Sequence, residues 1–160
     1  MKFYIKQRVF SFKDKFDIYD EFQNLVYHVD SQLFSMVAKL RLLDANDREL
    51  YFIRGKFRFF LSEYDIESNG ELCATIFQKI SFLKSKLNVE SKYGQFDIQG
   101  NFIGMDYDIY YNGNYFGGIH KKWLSWGDSY ELDIPSPENA AFFCAMVVAI
   151  DNCLHNGNRG

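Results

Sequence analysis

The residues of this 160-residue chain best equipped for chemistry are three histidines, three cysteines and a scatter of carboxylates. His28, His120 and His155 fall in no HxH or HExxH spacing, so no metal-ligand set can be read from them. Cys73, Cys144 and Cys153 form no CxxC pair. Cys144 and Cys153 would sit on opposite sides of a helix, which disfavours a disulfide or a shared metal between them. No GxSxG elbow, P-loop or GxGxxG occurs. Asp106 and Asp108 could hold a metal or share a proton, yet their alternation with Tyr107 and Ile109 turns both to water. The expectation is a protein that is not an enzyme and carries no cofactor and no metal.

Two groups of basic residues offer binding chemistry instead. Arg54, Lys56 and Arg58 alternate along one segment, and Lys39 and Arg41 alternate along the segment before it. Paired as strands, they would present a stripe of positive charge. Pairing Leu40 and Leu42 with Phe52 and Leu50 would turn Arg54 inward, and a bulge at Gly55 would restore its face. The second group is His120-Lys121-Lys122-Trp123 with Trp126, where basic and aromatic residues mix as they do at membrane interfaces. The alternative for both groups is a solvated strand face, with Trp123 or Trp126 packed inward. A net charge of −3 and a pI near 5.6 argue against a nucleic-acid partner.

The elements that must position these residues are nearly all strands. Proline is absent before Pro135, as a hydrogen-bonded ladder prefers. Period-2 alternation is visible at Phe16 and Ile18, Leu40 and Leu42, Leu87 and Val89, Tyr107 and Ile109, and Tyr130 and Leu132. Asn69-Gly70 and Asn112-Gly113 are hairpin signals, and the segments after Asp20 and Asp44 are turns built on Asx chemistry. Roughly twelve strands result, arranged as serial hairpins. Ser136-Pro137-Glu138 then reads as a helix start, with Ser136 at the N-cap and Pro137 at the first helical position. Ala140 to Ile150 is apolar on every side and is too short to span a bilayer.

A helix about 10–12 Å across needs somewhere to hide. A closed barrel of about eleven or twelve strands has room for one along its axis. The aromatic residues, 19% of the chain, would fill the annulus between helix and wall. The fold class expected is therefore mainly β: a closed antiparallel barrel of about twelve strands enclosing one hydrophobic C-terminal α-helix. It forms a single domain over residues 1–160, with strands over about 3–134 and the helix over about 137–155.

The order of these pieces resembles the LURP-one-related family, within the superfamily of tubby C-terminal-like domains and phospholipid scramblases. The resemblance runs from Phe10-Ser11-Phe12-Lys13-Asp14-Lys15-Phe16-Asp17-Ile18-Tyr19-Asp20 through Lys39-Leu40-Arg41-Leu42-Leu43-Asp44 and Asp106-Tyr107-Asp108-Ile109 to Tyr130-Glu131-Leu132-Asp133-Ile134 and the helix. It implies the same barrel. Family members usually place Gly in the first two Asp-led turns, where Asn24 and Asp47 stand nearby here. Scramblases carry a calcium-associated acidic segment before the helix. Only Asp128, Glu131 and Asp133 are available here, without the spacing of a calcium loop.

Tubby-like domains engage anionic head groups through basic residues, which the resemblance carries onto Lys39, Arg41, Arg54, Lys56 and Arg58. The function expected is a binding or scaffold domain in the cytoplasm, peripheral to membrane, with anionic membrane lipids or a protein as partner. The alternatives are an enzyme with a site at the barrel mouth and a scramblase-like lipid-perturbing protein.

Overall fold

The computed structural model describes residues 1–8, 14–32, 37–56, 63–79, 86–101, 106–123 and 128–156, with backbone alone at 14–15, 78–79, 123, 128 and 154–156. Twelve strands are present: β1 (Lys2–Gln7), β2 (Asp14–Asp20), β3 (Leu25–Ser31), β4 (Lys39–Asp44), β5 (Glu49–Lys56), β6 (Glu63–Ser68), β7 (Glu71–Lys79), β8 (Lys86–Ser91), β9 (Gly94–Asn101), β10 (Asp106–Tyr111), β11 (Asn114–Trp123) and β12 (Asp128–Asp133). Each pairs antiparallel with its neighbours in sequence, and β1 pairs with β12 to close the barrel. The helix α1 (Ala140–Asn156) follows. This is the barrel read from the sequence.

Closure abolishes free sheet edges, and the alternation then decides what faces the axis. Ile5, Ile18, Val29, Ile53, Ile66 and Ile98 are fully buried, one from each of six strands. They surround Cys144, Ala145 and Val148 of α1, which are equally buried. Small residues along the middle of the helix let the wall approach closely. Each large aliphatic side chain buried here contributes about 1.5–3 kcal/mol, more than a surface ion pair's 0–1. Aromatics fill much of the annulus as expected, with Phe3, Phe16, Tyr51, Tyr64, Phe96, Tyr107 and Tyr130 buried in the core around the helix. Phe96, Phe116, Phe142 and Phe143 form a linked cluster around the start of the helix. The Tyr93 ring packs 4.6 Å from that of Phe142, and its hydroxyl lies 2.9 Å from the Tyr51 hydroxyl.

An antiparallel meander sorts its connections between two ends. The turns after β2, β4, β6, β8 and β10 and the passage from β12 into α1 lie at one, here called the turn end. The other, the link end, carries the strand ends at Gln7 and Asp14, Ser31 and Lys39, Lys56 and Glu63, and so on round to Trp123 and Asp128. At the turn end Asp20 Oδ1 accepts from the N–H of Phe22 and of Asn24, at 2.9 and 2.8 Å. Asp44 Oδ1 accepts from Asn46 and Arg48 at 2.8 and 3.0 Å. These hydrogen bonds hold both carboxyls below the usual carboxylate range, in Asp20 led by the Asn24 side chain and in Asp44 by the Arg48 N–H. Asn69-Gly70 and Asn112-Gly113 take left-handed backbone at both positions, the twist a two-residue hairpin needs.

Two expectations need correction. The left-handed residue of the first Asx turn is Gln23 (φ 65°), not Asn24, whereas Asp47 (φ 62°) is as expected. The helix begins at Ala140, three residues later than Ser136-Pro137 implies. Ser136 Oγ does accept from the Glu138 N–H at 3.1 Å, but the Ala140 N–H bonds Pro137 O in a tight turn. Asn139 then takes φ 58°, a conformation no continuous α-helix allows, and its carbonyl accepts from Phe143 as the first helical bond. The chain must swing from the wall onto the axis, and this turn makes the bend.

Candidate functional site: the basic end of the barrel

Register places the expected stripe. Lys39 pairs with Arg54 and Leu40 with Ile53, so Leu40 and Ile53 face the core while Lys39, Arg41, Arg54 and Lys56 share the outer face of β4 and β5. The expected pairing of Leu40 with Phe52 is off by one. The bulge lies at the turn side, where Leu50 is the extra residue between the pairs Leu42 with Tyr51 and Leu43 with Glu49. Gly55 stays in regular register opposite Tyr64, its position too close to that ring (3.3 Å for an added Cβ) for a side chain to fit freely. Arg58 lies outside the described residues.

The stripe meets carboxylates from both flanks. Arg41 bonds Asp30 of β3 at 2.9 Å, Arg54 bonds Glu67 of β6 at 2.5 Å, and Lys56 bridges Glu63 and Asp65 at 3.0 and 2.7 Å. The Lys56 ammonium is held above its ordinary range, chiefly by Asp65 and then by Glu63. Asp65 is buried beneath this bridge and also accepts from Thr75 Oγ1 at 2.9 Å. Taken as a wall, β4 to β6 is close to neutral.

The second group is divided by the alternation of β11. Lys121 pairs with the core residue Tyr130 and so occupies an inward register position, while His120 and Lys122 flank it on the outer face. His120 Nδ1 is bonded to Asp106, and Lys122 lies 3.3 Å from Glu131. Lys2, 2.7 Å from the same Glu131, is the main reason its carboxyl is held below the usual range. The side chain of Trp123 and the whole of Trp126 lie outside the described residues. Asp106 and Asp108 face outward as expected.

The two groups are five to six strands apart in a ring of twelve, so they stand on opposite walls. Both lie at the link end. Two further lysines join them there. Lys86 opens β8, and Lys6 lies near the end of β1 with its Nζ 4.7 Å from the centre of the Tyr19 ring. Neither Lys39 nor Lys86 has a carboxylate partner among the described residues. The same end also carries Asp14, Asp30, Glu63, Asp65, Asp106 and Asp128. The turn end is more acidic. Its described cations are Lys2, Arg48 and Lys92, set among Asp20, Asp44, Asp47, Glu49, Glu71 and Glu90. Sequence reasoning missed Lys6 and Lys86 because each lies far along the chain from the other basic groups. The signal was present, since counting strands in a meander assigns each residue to an end.

Inside the link end, the Tyr130 hydroxyl donates to the buried Asp151 of α1. The Tyr107 phenol is pushed up by burial and then by the nearby Asp151 charge. These contacts tie the last turns of the helix to β12 and sit beside β10. The Cys144 thiol, fully enclosed, is pushed up by burial. Among the described residues no group of His, Cys, Asp and Glu is arranged to hold a metal, and no helix is long and apolar enough to cross a membrane.

A family model described as LURP-one-related matches residues 1–151. The uncharacterized protein YxjI of Bacillus subtilis (strain 168) is 30% identical over 156 residues, spanning 98% of this chain and 95% of that protein. An X-ray structure of a protein from Arabidopsis thaliana superposes with a TM-score of 0.62 at 19% identity, over 94% of this chain and 90% of that one, which speaks to the fold alone.

Proposed function

The chain belongs to the LURP-one-related family, and from that premise we propose that it is a non-enzymatic binding domain that docks on anionic phospholipid surfaces through the link end of its barrel. The observation that carries this reading is the axial separation of charge. Basic residues from β1, β4, β5, β8 and β11 gather at one end, interspersed with Asp14, Glu63, Asp106 and Asp128, and carboxylates outnumber cations at the other. Such a field attracts and orients the protein at an anionic surface, within about a Debye length of 8–10 Å. The interior is filled by α1, which leaves the outside of the barrel as the binding surface.

The sequence that joins the strands at the link end supports the same reading. Each of its six segments holds an aromatic residue: Phe12, Phe34, Phe59, Phe82, Phe102 and Trp126. These residues lie outside the described ones. Basic and aromatic residues together suit the polar boundary of a bilayer.

Co-sedimentation with phosphatidylcholine vesicles, with and without phosphatidylserine, tests the proposal. The expected result is binding to the anionic vesicles alone, weakened as salt rises from low to physiological. Absence of binding at either salt concentration overturns it.

A further inference from the structure

We infer that the turn end of the barrel is a protein-docking face, and that its partner is an extended protein segment alternating Lys or Arg with large apolar side chains. This goes beyond the lipid reading, which uses the other end. Every connection at the turn end lies within the described residues, and two observations meet there. The first is apolar. The exposed large hydrophobic residues among those described are Met1, Phe22, Leu25, Leu72, Tyr111 and Tyr115, and all of them lie at this end. Phe22 is 77% exposed in the β2–β3 connection, and Tyr115 is 62% exposed beside the β10–β11 turn. Asp20 and Asn112-Gly113 shape those two turns, so Phe22 and Tyr115 are not what sets the backbone there. A single exposed apolar residue is ordinary, but their collection at one end of a barrel is not.

The second observation is charge. Glu21, Glu49, Glu71, Glu90 and Glu138 are exposed at this end, and none of their carboxylates enters an ion pair or hydrogen bond among the described residues. The cations nearby are already engaged. Lys2 lies 2.7 Å from Glu131, Arg48 lies 2.7 Å from Asp44, and the Lys92 ammonium stands over the Tyr93 ring, 5.3 Å from its centre. The N-terminal ammonium donates to Ile134 O at 2.8 Å. The charge left uncompensated is negative.

The layout of the rim decides the occupant. Leu25 on β3, Phe22 after β2, Met1 ahead of β1, Tyr115 on β11 and Tyr111 on β10 follow one another around the closed ring. They cover five strand spacings of about 4.8 Å, an arc on the order of 25 Å. An extended segment of about eight residues spans it. Glu21 and Glu138 lie within the arc, and Glu49 and Glu90 lie beyond its two ends. Apolar side chains of the segment would cover Phe22 and Tyr115 while its cations meet the glutamates. An anionic bilayer or a nucleic acid would be repelled by the same glutamates. A second copy of this chain would set glutamate against glutamate.

The test uses the full chain and three fluorescent peptides of about ten residues, long enough to span the arc. One alternates lysine with leucine and tryptophan, one alternates lysine with serine, and one replaces the lysines of the first with glutamate. By fluorescence anisotropy the first alone should bind, and more weakly as salt rises. Phe22→Ser, Tyr115→Ser and Glu21→Gln should each weaken it by about fivefold, while Asp106→Asn at the link end leaves it unchanged. Thermal melts confirm that all four variants fold. No binding, equal binding of the lysine–serine peptide, or an equal loss with Asp106→Asn overturns the docking face. So does self-association of the wild type that Phe22→Ser abolishes, since the occupant would then be a second copy. Vesicle partition of the same variants should match the wild type, so this inference and the lipid reading fail separately.

Discussion

At the turn end Asp20, Asp44 and Ser91 are committed to their own backbone, whereas at the link end Lys39 and Lys86 meet no carboxylate among the described residues. Asp20 and Asp44 each satisfy two N–H groups of the turn that follows. Asn69-Gly70 and Asn112-Gly113 are there because left-handed backbone is needed. Ser91 Oγ donates to Gly94 O at 2.7 Å and closes the β8–β9 turn. Remove any of these and a connection loses its geometry. Lys6, Lys39 and Lys86 close no turn. Where folding does not dictate a residue, its chemistry is free to serve an external surface, and these three residues are cationic.

The largest effect comes from breaking the core that both ends share. Ala145 and Val148 are fully buried, and Ala145→Asp or Val148→Asp would leave an unpaired charge on the barrel axis, at a cost of several kcal/mol. Circular dichroism and gel filtration should show failure to fold. Cooperative unfolding near the wild-type temperature would contradict the buried-helix arrangement.

A smaller lesion separates the ends. Gly94 has φ 122°, and a Cβ added there would lie 2.3 Å from the Tyr111 ring. Gly94→Ala should destabilise by about 2 kcal/mol. Vesicle partition of the folded fraction should not change, because Gly94 lies at the turn end. Loss of partition in well-folded protein would break the division of labour between the two ends.

The smallest effect is acid dependence. Asp20, Asp44 and Glu131 have lowered folded-state pKa values, so their contribution to stability is complete above the ordinary carboxylate pKa of about 4. It is lost as pH falls through the depressed folded values. Melting temperature should therefore hold between about pH 5 and 7 and decline below about pH 4. Asp20→Asn should flatten part of that decline, since an amide keeps an acceptor but does not titrate. An identical acid limb in Asp20→Asn would remove that residue from the account.

What could be read from the sequence follows the same divide. Strands such as Asp106–Tyr111 announce themselves because one face must be apolar, and the turns because their backbone admits few residue types. The apolar run from Ala140 announces a buried helix. Local pattern does not carry offsets. One extra residue, Leu50, resets the β4–β5 register and turns Arg54 outward, and alternation reads the same with or without it. Asn139 delays the helix by a single left-handed residue. The carboxylates that neutralise the stripe, Asp30, Glu63, Asp65 and Glu67, arrive from neighbouring strands. The basic end is harder still to see, because its members are dispersed along the chain and meet only through the order of the strands.

Labelling the two ends separately tests the central claim most directly. All three cysteines are buried, so an exposed position changed to cysteine can be labelled selectively. Gln32, just past β3 at the link end, and Asn46, in the Asp44 turn, are both exposed. A fluorophore on Gln32→Cys should be quenched by head-group quenchers in anionic vesicles, while one on Asn46→Cys should stay unquenched. Equal quenching at both sites, or stronger quenching at Asn46→Cys, would contradict docking through the basic end.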